Sequence, residues 1–385
     1  MDELTEADSP ITYGVVKPGD PGDVLFIRGG DIAGGRVLDN QLRTITNEVS
    51  EQYRRTLLRG GELLICLVGQ PGQVAVAPPA LAGANIARQV GLIRLRSEVD
   101  AEFISYFLQS PDGQASLGTY TGGSVQQVIN LGDLRTVNVP IPPFPEQQQI
   151  VGILDEAFEG IATAIANGEK NLQNARALFE SHLQAVFTRR DKGWVEKKLS
   201  EVCAILSTLV DPRKDEFRDL IHVGAGNIES QTGVFVELKT AREEGLISGK
   251  FLFDKSMVLY SKIRPYLMKV ARPDFNGLCS ADMYPLAPLP NEITRDYLFH
   301  MLLSKGFTDY AIQGSARAGM PKVNREHLFE FKIWLPDVKK QKELAANLDD
   351  LHEETRRLQS IYQQKLAALE ALKKSLLHHA FSGAL

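Results

Sequence analysis

Two stretches decide the fold: VPIPPFPEQQQIVGILDEAF (139–158) and IWLPDVKKQKELAANLDDL (333–351). Each closes a β-type run at a proline and then enters a long helical pattern through a glutamine-bearing turn. Setting Pro142 on Pro336 fixes an offset of 336 − 142 = 194. In that register, without gaps, 13 of the 60 positions from 128 to 187 are identical, against about 3 or 4 from ordinary residue usage. The matches include Asn130/Asn324, Leu134/Leu328, Gln147/Gln341, Leu154/Leu348, Asp155/Asp349 and Phe187/Phe381. Upstream the register persists at Val76/Val270, Leu108/Leu302 and Ser110/Ser304, and VLFIRGGDI (24–32) meets LIHVGAGNI (220–228) after a two-residue slip. The chain is a tandem duplication.

Each copy divides into a head and a rod. The heads carry short β-type runs punctuated by Gly and Pro, such as GELLICLVG, QVAVAPP and KSMVLYSKI, and one helical patch each, near Glu102–Leu108 and Arg295–Leu303. That composition predicts small twisted sheets in an α+β domain. The expected boundaries are 1–144 and 191–336 for the heads, and 145–190 and 337–385 for the helices. Pro145-Glu146 suits the first turn of helix one, Asp337 is the expected N-cap of helix two, and Gly383 is its expected C-cap. Helix two places Leu344, Leu348, Leu351, Thr355, Leu358, Tyr362, Lys365, Leu369, Leu372 and Leu376 at steps of four and three. Helix one repeats Phe158, Ile165, Leu172, Phe179 and Val186 at steps of seven. Both are coiled-coil seams, interrupted at Thr355, Lys365 and Gly168. Antiparallel pairing of the helices predicts a pseudo-twofold molecule with a head at each end. A rod of about 42 residues is roughly 60 Å long, on the order of 18 base pairs of B-DNA.

Composition sets further bounds. At 385 residues the chain suits two domains, with 43% apolar and 24% charged residues. No apolar run approaches a membrane span, and the acidic opening MDELTEADSP has no hydrophobic signal core, so a cytoplasmic protein is expected. Cys66, Cys203 and Cys279 have no metal-ligand spacing and read as reduced thiols. No Walker loop occurs, IPPF (141–144) lacks the amide or acid of an amino-methyltransferase site, and the ExK of Glu330–Lys332 has no counterpart in copy one. No catalytic constellation, metal or cofactor is expected.

The net charge of −5 counts against a nucleic-acid reader. Its distribution counts the other way: between Pro18 and Glu169 every cation is arginine, whose planar fork recognises guanine edges and phosphates bidentately. One small-residue loop precedes a short helix at equal register in both copies, TGGSVQQVIN (121–130) and SARAGMPKVN (315–324). From these loops Ser124, Gln126, Gln127, Arg317 and Lys322 are candidate DNA contacts, with Gln suited to adenine, Arg317 to guanine and Lys322 to phosphate. Asn130 and Asn324 suit caps as well as contacts. Arg28, Arg36, Arg43 and Arg88 in copy one, with Arg242, Lys262 and Arg264 in copy two, complete the candidates, although each taken singly suits solvated surface better than base contact.

The paired helix-entry stretches, KNLQNARALFESHLQAVF before Gly193-Trp194, and EALKKSLLHHAFSG together resemble the specificity subunit of type I restriction-modification enzymes. The resemblance covers essentially the whole chain. It implies two target-recognition domains, each reading half of a bipartite asymmetric DNA site, and two antiparallel helices that set the gap and bind methyltransferase subunits. Restriction/translocase subunits join that core, and the specificity subunit is not itself catalytic. The lead-in GWVEKKLSEVC (193–203) fits the family, whereas copy one opens on a shortened or degenerate version. Two other readings share these features: the recognition partner of a fused nuclease-methyltransferase, and a coiled-coil adaptor that binds no DNA.

Overall fold

The computed structural model describes residues 1–118, 128–315 and 321–382. It divides into two compact units, Met1–Glu169 with Gln364–Leu385, and Lys170–Gln363. The division cuts through both long helices, Phe144–Thr188 and Val338–Phe381, so each unit holds a head and part of each helix.

Unit one builds its head on β1 (Thr12–Tyr13), β2 (Val24–Ile27), β3 (Arg43–Ile45), β4 (Leu63–Cys66), β5 (Val74–Val76), β6 (Asn85–Ile86) and β7 (Val90–Ile93). An antiparallel sheet runs β1-β7-β4-β5, and a smaller one runs β3-β2-β6 with β2 and β6 parallel. The unbroken apolar run of β4 has a simple cause: both its faces are covered. Leu63 and Ile65 point into one hydrophobic cluster and Leu64 into another, as strand alternation requires. Helices α1 (Ala101–Gln109), α2 (Pro111–Gly118) and α3 (Leu131–Thr136) complete the head.

Unit two repeats the plan with β8 (Cys203–Ile205), β9 (Ile221–Val223), β10 (Lys239–Thr240), β11 (Val258–Ser261), β12 (Val270–Ala271), β13 (Gly277–Cys279) and β14 (Met283–Pro288). The larger sheet, β8-β14-β11-β12, has the strand order of its counterpart. The smaller core, β10-β9-β13, keeps one parallel pair and gains Lys250–Phe253 and Leu209–Val210. Its helices are α4 (Arg295–Leu302), α5 (Lys305–Gln313) and α6 (Arg325–Phe329). The α+β expectation holds in both heads. The expectation of one helical patch per head was too low, because α2 and α5 follow at once on Ser110 and Ser304. Those serines cap the new turns, their hydroxyls accepting from Gly113 N (3.1 Å) and Phe307 N (3.3 Å). The α2 sequence PDGQASLG buries only Gly113 and Leu117, so it carries almost no apolar period to read. The family-type lead-in forms Val195–Lys198, paired antiparallel with Lys332–Leu335. Copy one has no such pair among the described residues; there the Met1 amino group donates to Val137 O at 2.6 Å.

Residues repeated at offset 194 prove to be the joints between head and helix. Gln147 is fully buried: its Oε1 accepts from Asp100 N (2.8 Å), while Nε2 donates to Pro142 O (2.8 Å) and Glu98 O (3.3 Å). Gln341 makes the same set with Thr294 N (2.8 Å), Pro336 O (3.0 Å) and Glu292 O (2.9 Å). Each amide thus ties the helix entry to the N-cap of α1 or α4. Asp155 accepts from Tyr106 Oη, and Asp349 accepts from His300 Nε2 (2.8 Å), the residue at the register of Tyr106. Phe381 packs on Phe103 and Phe107 in unit one, with centroids at 5.2 and 5.5 Å; Phe187 packs on Tyr297 at 5.0 Å in unit two. Each head is therefore sealed by the end of the helix that belongs to the other copy.

Helix pairing is antiparallel within each unit. In unit one Leu154 and Phe158 meet Leu376, Leu377 and Ala380. In unit two Phe179, Leu183 and Val186 share a cluster with Leu344, Ala345 and Leu348. Two seam expectations need correction. Gly168 is a packed position rather than a break: a Cβ there would sit 3.0 Å from Leu366, and the helix runs on through it. Opposite that glycine the second helix takes an extra step of four, from Tyr362 to Leu366, then Leu369, Lys373 and Leu376. Lys365 is therefore exposed, and Leu372 turns outward at 46% exposure. Thr355 stays in the seam, 1% exposed, its hydroxyl returned to Leu351 O (2.9 Å).

Burial, then Asp155 and Asp100, push the Glu102 carboxyl up to about 7. A carboxyl whose folded pKa is raised stabilises fully below its unfolded value and loses that stability as pH rises through the folded one. Glu102→Gln is therefore expected to raise the melting temperature of unit one at pH 8 and to change it little at pH 4.5. Equal shifts at both pH values would contradict this assignment.

Candidate nucleic-acid interface

In unit one a cavity of about 760 Å³ opens between the edges of the smaller sheet, lined by Arg28, Arg43, Arg88, Gln89, Thr44 and Phe26 among others. Three of the four arginines singled out in the first copy therefore converge. Arg28 is pre-set, because Asp31 takes its Nε (3.0 Å) and one terminal nitrogen (2.8 Å) and also caps its backbone N–H (2.8 Å). The same turn recurs in unit two, where Gly224 N donates to Asn227 Oδ1 at 2.9 Å and no arginine stands. The VLFIRGGDI/LIHVGAGNI match is thus a shared Asx-capped turn, with an arginine on it in one copy only. Arg43 and Arg88 are exposed and have no carboxylate partner among the described residues. Gln89, beside Arg88, was not among the sequence candidates; its signal was adjacency to an arginine on a tight turn. Arg36 stands apart, its charge felt by Glu102 and Tyr106.

In unit two the strand bridge Ile263↔Lys322 joins the β11–β12 turn to the chain entering α6 and so gathers Lys262, Arg264 and Lys322. Lys262 Nζ lies 5.2 Å from the centre of the Tyr284 ring, and Arg325 lies over the same ring at 6.0 Å. Arg325 and Tyr284 escaped the sequence reading, since only the fold brings them to Lys262. Arg242 is elsewhere, paired with Asp219 at 2.7 Å. Asn324 is a helix cap, accepting from His327 N at 2.7 Å, whereas the Asn130 side chain donates to Asp133 at 3.2 Å. Ser124, Gln126, Gln127, Arg317 and the cap Gly383 lie outside the described residues.

Features of other chemistries are lacking or otherwise engaged. Among the described residues no group of His, Cys, Asp or Glu is placed to hold a metal, and all three cysteines are free and buried. Burial pushes Cys203 and Cys279 up to about 12, which leaves inert thiols. Glu330 and Lys332 are spent on cross-strand ion pairs with Lys198 (2.7 Å) and Glu196 (3.2 Å). No described helix is long and apolar enough to cross a membrane.

Comparison with known proteins is consistent across sequence and fold. The family model of the type I restriction modification DNA specificity domain matches residues 14–173 and again 191–370. The type I restriction enzyme EcoDI specificity subunit of Escherichia coli is 29% identical over 321 residues, 74% of this chain and 70% of that one. The EcoBI specificity subunit of Escherichia coli is 31% identical over 196 residues, 50% of this chain and 40% of its own length. In fold, the chain is similar to one solved in a study of complex assembly and conformational transition of the type I R-M system. That likeness has a TM-score of 0.76 at 17% identity and covers 100% of this chain and 97% of that one. The HsdS subunit from Thermoanaerobacter tengcongensis follows, with a TM-score of 0.62, 18% identity and coverage of 100% and 96%. At those identities the likeness is one of fold.

Proposed function

This chain belongs to the family of the type I restriction modification DNA specificity domain, and from that membership we propose how its two heads are used. It is the DNA-recognition subunit of a type I restriction-modification complex, acts with modification and restriction subunits, and is not itself the catalyst. Each head reads one half of a bipartite target, and the two halves differ. The observation carrying this reading is that two heads of one plan present different chemistries, an Arg/Gln cavity on the smaller sheet of unit one and a Lys/Arg/Tyr cluster at the β11–β12 turn of the larger sheet of unit two. Arg43, Arg88 and Gln89, with Arg28 held by Asp31, contact base edges in the first half-site. Unit two is held at the second half-site by Lys262, Arg264 and Lys322, with Arg317 and the loop of Ser124, Gln126 and Gln127 remaining candidates for base contact in their own heads.

Two methyltransferase subunits dock on the long helices. Ala177, Leu178 and Ser181 are identical to Ala371, Leu372 and Ser375 and are exposed in both copies, with Leu178 at 52% and Leu372 at 46%. An apolar side chain kept on solvent at the same register in two diverged copies serves one shared surface used twice. Leu178→Glu and Leu372→Glu should each release one methyltransferase subunit, measured as complex mass in solution. If mass is unchanged in both, the docking surface lies elsewhere.

The test of the reading is methylome mapping in cells that carry the system, where an asymmetric, gapped motif is expected. A symmetric, ungapped motif would refute it. Arg88→Ala should then relax one half of that motif only, weakening discrimination there about ten- to a hundred-fold. Loss spread evenly over both halves would exclude base contact.

A further inference from the structure

The two heads carry the same hairpin with different charge at its tip. In unit one β4 and β5 are joined by LVGQPGQ (67–73), which has no charged residue; in unit two β11 and β12 are joined by KIRPYLMK (262–269), with three cations. Both tips are held alike. Val68 bridges Val128 as Ile263 bridges Lys322, and Ile129 N donates to Leu67 O (2.9 Å) as Val323 N donates to Lys262 O (2.8 Å). The charge difference is therefore a change of side chains on a shared frame.

Lys269 is engaged by Ala225 O at 2.6 Å. Lys262, Arg264, Lys322 and Arg325 remain, and none has a carboxylate within ion-pair distance among the described residues. Several other cations of this unit do, among them Lys198 with Glu330, Arg213 with Asp211, Arg242 with Asp219, and Arg272 with Asp349. Burial first, then Lys322, push the Lys262 ammonium below its ordinary range, with Asp282 opposing. In a chain of net charge −5, four neighbouring cations without counter-ions are an unbalanced site that a polyanion would neutralise. The frame is stiff. Arg264 N donates to Pro321 O (2.9 Å), Tyr284 Oη donates to Val323 O (3.1 Å), and Arg264 and Met268, both in the left-handed region, bracket the turn Pro265–Leu267.

We propose that Lys262, Arg264, Lys322 and Arg325 clamp phosphates of the DNA backbone beside the half-site of unit two, and that the hairpin of unit one has no such clamp. This rests on the reading of the chain as a DNA-recognition subunit and adds the ligand group. A compact ammonium suits a phosphate as a point charge and a guanidinium grips one bidentately, so all four groups suit backbone oxygens. Anchoring is then lopsided. One half of the target is held largely through its backbone, and the other through the base edges that meet Arg43 and Arg88.

The experiment uses the full chain assembled with its methyltransferase subunits, a duplex carrying the mapped target and a scrambled duplex of equal length. Binding is measured between about 50 and 200 mM salt. Lys322→Ala with Arg325→Ala should weaken both duplexes by a similar factor and flatten the slope of log K against log salt by about 2, near 0.9 per phosphate. Over that four-fold rise in salt the variant then loses about twelve-fold less affinity than its parent. Lys322→Arg with Arg325→Lys keeps the charges and should keep the slope. An unchanged slope in the alanine pair, or a loss confined to the target duplex, overturns the clamp. An unsubstituted complex that does not prefer the target over the scrambled duplex overturns the DNA-recognition reading as well, so the two failures are told apart.

Discussion

Gln341→Leu is expected to cost unit two about 4 kcal/mol and to lower its unfolding temperature by roughly 10 °C. Leucine fills nearly the same volume, so the effect isolates the hydrogen bonds. Thr294 N, Glu292 O and Pro336 O all lose their partner in a site where the glutamine is 1% exposed. A buried donor or acceptor left unmatched costs on the order of 1–3 kcal/mol, and three lose their match together. Gln341→Glu is the sharper control: its carboxylate still accepts from Thr294 N but sets a second oxygen against two carbonyls. That variant should be the worse of the two at pH 7 and should recover on acidification, as the protonated acid donates again. Gln147→Leu should reproduce the loss in unit one, where the same bonds run to Asp100, Glu98 and Pro142. Calorimetry that finds less than about 1 kcal/mol at either site would show that the amide joins are ornamental.

The second large effect is Asp349→Ala, about 3 kcal/mol. Asp349 accepts from Arg272 at 2.7 and 3.0 Å and from His300 at 2.8 Å. Burial would raise its carboxyl, but the bonds from His300 and Arg272 outweigh it and hold Asp349 well below the usual carboxylate range. Arg272 would keep Asp296 at 2.9 Å and the Phe299 ring at 4.2 Å. His300 would keep no hydrogen-bond partner: it is fully buried and its Nδ1 already lacks one. The pH dependence follows from neighbouring histidines. Burial lowers His300 despite Asp349, and burial followed by the charge of His300 lowers His352, stacked on Phe179, to about 4. A histidine whose folded pKa is depressed destabilises the fold as pH falls below its unfolded value near 6.5, since only the unfolded chain then takes the proton. Unit two should lose stability from about pH 6.5 down to 4, while unit one, through Glu102, is eased over the same range. Thermal unfolding at pH 7 and pH 5 with His352→Gln as control tests this; an equal response of parent and variant to acid would contradict it.

The joints were legible in the sequence and their chemistry was not. Offset 194 paired Gln147 with Gln341, Asp155 with Asp349 and Phe187 with Phe381, and each pair makes the same contact in its own unit. Exchanged helix ends are invisible to such an alignment, because offset matching reports likeness and not proximity. The seam was read correctly through Tyr362 and lost after it. A strict four-three rhythm assumes a side chain at every step, and Gly168 supplies none, so Leu366 moves in and Leu372 rotates out. Candidate contact residues divided similarly. Residue type alone singled out Arg28, Arg43 and Arg88, which line one cavity, whereas Arg325 and Tyr284 needed the bridge between residues 263 and 322 to become neighbours of Lys262.

Phe381 under Phe103 and Phe107 has a consequence for biosynthesis. A ribosome releases the first head long before it makes the residue that seals it. Some 381 − 107 = 274 residues separate Phe107 from that plug, and at about 5–20 residues per second the nascent domain stays uncapped for roughly 14 to 55 seconds. Through that interval its aromatic floor is open to solvent, to a chaperone, or to the ring of a neighbouring nascent chain. The second head faces no such delay, since Phe187 emerges before it.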